Sequence, residues 1–283
     1  MSSPRRLPIS ARHAFALAFD LAVRRDAVQS LWVPLLLHAP WLVAQAVLPA
    51  PDEPGGLTAR NLLLNSVALL GEFLVSLLVA AMLRFRARSV FNTASLESPA
   101  SAFECYAQAV GRLPWLFITE LLRNTAMFFA GLFLVLPGVW VGFRFSMATE
   151  AVVLRDTAAL GAFTRSFQIT HGRLERWLEM IAISVVMVLA ILFTCALFFF
   201  ALPKTSWSTW LTVALFALPP VMSVIQYAWT FFYLRLEEID APAVAGQIRR
   251  VGDAAGAGTA GGHASAPRLK LVEGRQDVEP PAR

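Results

Sequence analysis

Apolar runs about twenty residues long alternate with short polar breaks along this chain. Each run, as a helix, is long enough to cross the roughly 30 Å hydrocarbon core of a bilayer. Six are predicted, over 30–50, 62–83, 114–136, 138–154, 178–201 and 208–234. The fourth is the shortest and carries Arg144 and Glu150. Ahead of three of the runs, apolar and polar positions recur at helical spacing, the pattern of a helix with one apolar face. The external breaks are of turn type: PDEPGG, Leu136-Pro137-Gly138 and LPKTSWST. The pattern therefore predicts an all-α polytopic membrane helix bundle of six transmembrane helices with cytoplasmic interfacial amphipathic helices. Residues 1–29 form an amphipathic N-terminal segment, 30–240 the membrane domain, and 241–283 a disordered cytoplasmic tail that includes the small-residue stretch GDAAGAGTAGGHASAP.

Composition agrees with a bilayer setting. The 283 residues are 57% hydrophobic and 15% charged, with mean hydropathy +0.60, outside the range of an ordinary soluble domain. The net charge of +5 falls between apolar segments rather than on one soluble face, so a nucleic-acid partner is not expected. With six spans, twenty Lys and Arg lie on one side and two, Arg60 and Lys204, on the other, with Arg123 and Arg144 inside the membrane. Basic loops stay cytoplasmic, which puts both termini inside. Without the fourth span, basic clusters would fall on both sides. The first residues contain no apolar run suited to a signal-peptide core, so a retained N-terminus is expected. Cys105 and Cys195 fall in a cytoplasmic helix and in a span, and no disulfide is expected between them.

A weak threefold internal repeat runs through the amphipathic stretches. His13-Ala14-Phe15 leads to Arg24, Ser101-Ala102-Phe103 to Gly111-Arg112-Leu113, and Gly161-Ala162-Phe163 to Gly172-Arg173-Leu174. Gln108 and Gln168 hold the same register. Each copy precedes a hairpin of two apolar runs, as a duplicated scaffold would. Such helices suit the cytoplasmic leaflet, with arginines against anionic lipid headgroups.

Five charged side chains lie inside the predicted spans away from their ends: Glu72, Glu120, Arg123, Arg144 and Glu150. A charge at the bilayer centre costs on the order of 2.5–3.5 kcal/mol on insertion scales, so these groups should face one another or water. Glu72, Arg123 and Arg144 lie near mid-depth, and Glu120 shares a helix face with Arg123. The expected network has Glu72 neutralising Arg123 or Arg144, with Glu120 and Glu150 completing it. It serves either as a polar path or as an ion network that fixes helix packing. Gly138 and Gly142 form a GxxxG spacing that permits close helix approach. His38, Gln226 and Pro219-Pro220 are weaker polar or kinking signals.

At LPGVWVGFRFSMATEAVVLRD followed by AFTRSFQITHG, the chain resembles a broad group of poorly characterised bacterial six-span membrane proteins. That group is similar to the membrane domain fused to some glycerophosphoryl diester phosphodiesterases. The matching residues are the LPG, Trp140, Arg144, Val152, Val153, Ala162, Phe163, Arg165, Ser166, Thr170 and Gly172. Glu150 departs from the pattern, which has a Pro or small residue there. With no barrel-sized catalytic domain in this chain, phosphodiesterase activity is not carried over. The resemblance implies the bacterial cytoplasmic (inner) membrane and a role near lipids.

No Walker loop, dinucleotide fingerprint, HExxH, paired CxxC or G-x-S-x-G occurs, so no enzymatic chemistry, cofactor or metal site is expected. The leading expectation is a non-enzymatic scaffold or accessory factor in envelope or lipid homeostasis, with membrane lipids and a protein partner or second copy as its contacts. The alternative is a small transporter or channel using the intramembrane charges. An intramembrane lipid enzyme with Glu120 or Glu150 as general base stands behind both. Convergence of the charged side chains on a cavity would favour transport, and sealed pairs the scaffold.

Overall fold

The structure, a computed structural model, describes residues 10–48, 58–92, 100–201 and 207–257, with side chains described throughout except at 92, 201, 207–212 and 240–257. Every element among them is helical. The chain divides into two units, Met1–Asp240 and Ala241–Arg283. In the first, α1 (Ala11–Phe19) runs into a π-helical turn (Asp20–Arg25), and a second π-helical turn (Val28–Trp32) leads into α2 (Val33–Val47). Then follow α3 (Ala59–Asn92), α4 (Ala102–Phe133), α5 (Val135–Phe145), α6 (Ala148–Arg155), α7 (Ala159–Thr170), α8 (Leu174–Ala201) and α9 (Trp207–Ala257). The second unit is helical over its described part, 241–257, where disorder was expected; this part is rich in alanine, a strong helix former. The remainder of the expected tail, the PDEPGG turn and residues 202–206 of LPKTSWST lie outside the described residues, and 207–209 open α9.

Five helical segments are long and apolar enough to cross a membrane: Val28–Val47, Ala59–Phe91, Ala102–Phe133, Leu174–Phe200 and Val213–Ile239. They mark a multi-pass membrane protein and overlap five of the six expected runs. The fourth run, 138–154, is divided instead between α5 and α6, of 11 and 8 residues. Its boundary with α4 also differs from expectation. The chain turns at Leu134, and Leu136-Pro137-Gly138 belong to the first turn of α5, where the missing proline N–H costs no helical hydrogen bond.

Several spans exceed the bilayer. α3, at 34 residues, is about 51 Å long at 1.5 Å per residue. The overshooting parts of α3, α4 and α9 pack with α1, α6 and α7 into a core that includes Ala18, Met82, Ala109, Val152, Ile169 and Phe232. Arginines tie this layer together. Arg86, 2% exposed, is paired with Asp26 and hydrogen-bonded by Gln29. Arg88 Nη1 donates to the Leu154 carbonyl at 2.6 Å, and Arg112 pairs with Asp156. Glu237 receives Arg155 Nε at 2.6 Å and the Tyr233 hydroxyl at 2.9 Å. The bond to Glu237 raises the Arg155 guanidinium above its ordinary range.

The amphipathic helices turn much of their small-residue face to protein rather than to lipid. α1 buries Ala11, Ala14, Phe15 and Ala18, and α7 buries Ala159, Ala162 and Ser166. These match the repeat register position for position at Ala11/Ala159, Ala14/Ala162 and Ala18/Ser166. Phe19, Phe103 and Leu160 remain exposed. The junctions to the following spans differ among the copies: π-helical turns after α1, none within continuous α4, and a turn at Gly172 (φ +71°) after α7. Farther along the spans, exposed apolar side chains such as Leu63, Leu70, Phe128, Phe133, Val186 and Phe200 form a surface suited to lipid chains. Cys105 and Cys195 are free and buried.

Candidate functional site

Where the spans separate beside the packed layer, they line an open cavity of about 730 Å³. α2, α3, α4, α5, α6, α8 and α9 all contribute to its wall, which is mainly apolar. Six ionisable groups line it: His38, Glu72, Arg84, Glu120, Arg123 and Glu150. Four of the five predicted intramembrane charges therefore meet at one cavity. They do not form the single network expected, but separate into three local clusters.

In the first cluster, His38 Nδ1 lies 2.7 Å from Glu72 Oε1. Glu72 Oε2 is buried and has no hydrogen-bond partner among the described residues. α2 and α3 are consecutive antiparallel spans in the predicted topology, and His38 and Glu72 fall at similar distances from their cytoplasmic ends. The expected network did not include this pair; the depth match was the signal that could have found it. Gly71 makes room nearby, since a Cβ there would lie 2.3–2.6 Å from the ring of Trp41.

In the second, Glu120 pairs with Arg123 one helical turn along α4, as their spacing predicted. In the third, Glu150 at the start of α6 receives Arg84 Nε at 3.2 Å, Arg84 Nη2 at 3.1 Å and Gln226 Nε2 at 3.2 Å on Oε1. Its Oε2 accepts the Thr149 hydroxyl at 2.9 Å, while Arg84 Nη2 also donates to Thr149 Oγ1 at 3.0 Å. Both ions are buried, and four side chains from three helices satisfy one another. Sequence reasoning placed Arg84 one residue past the second span, among loop cations, and so missed the pairing. The depth of Glu150 near the same membrane face was the signal that could have found it.

Arg144 is absent from the cavity wall. Its guanidinium carbon lies 4.3 Å from the ring centroids of both Trp140 and Phe167, a cation between two aromatic faces. Nη1 donates to the Phe167 carbonyl at 3.4 Å, and no carboxylate pairs with it among the described residues. The expected Glu72–Arg123 and Glu72–Arg144 pairs are not formed. Arg144 belongs to the joint between α5 and α6, which α7 supports. Ser166 Oγ donates to the Arg144 carbonyl at 2.7 Å and accepts from the Met147 N–H at 3.1 Å, and Thr170 Oγ1 donates to the Ser166 carbonyl at 2.9 Å.

Gly138 and Gly142 meet α4. A Cβ at Gly138 would stand 3.0 Å from Gly131 Cα, a backbone atom, and one at Gly142 would stand 3.0 Å from Met127 Cε. α4 and α5 consequently approach closely at Gly138. Among the described residues no group of three His, Cys, Asp or Glu side chains could hold a metal ion. Comparison with known protein families, curated proteins and solved structures gives no match to this chain.

Proposed function

We propose that this protein binds a small amphipathic molecule in its intramembrane cavity and carries it between the membrane and one of its faces. The observation that supports this reading is the meeting of Glu72, Glu120, Arg123 and Glu150, with His38 and Arg84, at one cavity of about 730 Å³. Ligand sites commonly enclose roughly 300–1,000 Å³, with an apolar wall and a few polar groups that orient the ligand. Ionisable residues kept at membrane depth mark substrate pathways by default. An ion network that served packing alone would have no need of a cavity of this volume.

In the accompanying topology both termini are cytoplasmic, in keeping with twenty basic residues against two, and α5 with α6 make the remaining crossing in tandem. The setting is the bacterial inner membrane. The matched burial of α1 and α7 favours descent from a threefold repeat. Exposed Phe19, Phe103 and Leu160 suit insertion among lipids at the cytoplasmic face, which also keeps a lipid-linked accessory role as the second reading.

The test is thiol accessibility in a Cys105→Ser, Cys195→Ser background, using a membrane-impermeant reagent on intact cells and inverted vesicles. Glu72→Cys and Arg123→Cys should label in one of the two preparations, and Arg144→Cys in neither. Protection of positions 72 and 123 in both, with the protein still folded, overturns the reading.

A further inference from the structure

The carboxylates and guanidiniums lining the cavity do not balance. Three carboxylates, Glu72, Glu120 and Glu150, face two guanidiniums, Arg84 and Arg123. Each guanidinium has its own carboxylate in contact, Arg84 with Glu150 and Arg123 with Glu120. Glu72 is the carboxylate left without a guanidinium, and its contact is the imidazole of His38 at 2.7 Å. Among the described residues this is also the carboxylate with a spare acceptor, Oε2, while Arg123 Nε on the same wall has a spare N–H.

The remaining wall suits an organic ligand. Phe73, Trp177 and Trp229 line the same cavity, and aromatic faces attract cations as well as apolar surface. A bare metal ion fits poorly, because Glu72 and His38 provide only two ligands, and no third His, Cys, Asp or Glu completes a site among the described residues. An anion would meet more carboxylates than guanidiniums in a low-dielectric setting, where like charges repel strongly.

We propose that the cavity selects an amphipathic organic monocation, with Glu72 as its counter-ion. This rests on the reading of the cavity as a binding site and narrows it to one class of ligand. The cation's apolar body occupies the space between the spans, and its positive centre sits against Glu72 Oε2. The Arg84–Glu150 and Arg123–Glu120 pairs remain intact and contribute no net charge.

Three probes of similar shape and different charge separate the alternatives: tetraphenylphosphonium, triphenylphosphine oxide and tetraphenylborate. Saturable binding of each is measured to the full chain in phosphatidylcholine nanodiscs, after subtracting uptake by empty discs. Tetraphenylphosphonium is expected to bind at one site. Glu72→Gln should weaken it at least about tenfold while leaving triphenylphosphine oxide unchanged, and Glu72→Asp, which restores the charge, should recover most of the affinity. A tenfold loss corresponds to about 1.4 kcal/mol. Saturable preference for the borate or the neutral oxide overturns the cation proposal and leaves the cavity reading standing. Equal weakening of all three probes by Glu72→Gln assigns Glu72 to structure alone and also overturns it. If no probe binds saturably the proposal fails, and thiol labelling at positions 72 and 123 then decides whether the cavity reading fails with it.

Discussion

Glu72 and Glu150 are both carboxylates on the wall of one cavity, yet their surroundings differ sharply. Glu150 meets a guanidinium through two nitrogens, a carboxamide and a hydroxyl, all within 3.2 Å. Among the described residues, Glu72 has a single imidazole at 2.7 Å and one oxygen without a partner. A buried ion surrounded by fixed donors is already solvated by the protein and gains little from a ligand. One left partly unsatisfied carries a desolvation penalty that a ligand can relieve. The two residues therefore divide the work, with Glu150 joining helices and Glu72 left available.

Three substitutions, followed by thermal or denaturant unfolding in one detergent, test that division in descending order of expected effect. Glu150→Gln leaves the Arg84 charge buried without a counter-charge and should cost about 3–5 kcal/mol. A loss under 1 kcal/mol would mean that the cluster is hydrated and not a joint. Gln226→Ala removes one neutral donor from the same carboxylate and should cost about 1.5–3 kcal/mol, as for a hydrogen bond to a charged group. If it matched Glu150→Gln, Gln226 would be holding α9 by more than this bond. Glu72→Gln keeps the shape and a hydrogen bond to His38 and should change stability by less than about 1 kcal/mol. A loss as large as that of Glu150→Gln would erase the distinction between the two residues.

How far these features could be read beforehand follows from the physics of each. Membrane character and the long helices were legible, because both depend on local composition. The Glu120–Arg123 pair was legible for the same reason, since one helical turn fixes it. The partners of Glu72 and Glu150 were not, because they depend on helix rotation and on where a span ends. Counting Arg84 as a loop residue moved it just beyond reach of Glu150, although α3 continues through it to Asn92. Arg144 was misassigned for a different reason. A buried cation was presumed to need a carboxylate, whereas two aromatic faces and a backbone carbonyl accommodate this one. The amphipathic stretches were legible as helices, but hydrophobic periodicity does not distinguish a face that meets lipid from one that meets protein.

The Ser166 hydroxyl acts as a hinge pin. By taking the Met147 N–H and donating to the Arg144 carbonyl, it gives those two groups partners outside their own helices and lets the chain bend there without stranding either. Without it, the Met147 N–H and the Arg144 carbonyl would each lose the partner they have at this break in the helix. A single oxygen on α7 thus caps two helices at once, closing α5 and opening α6.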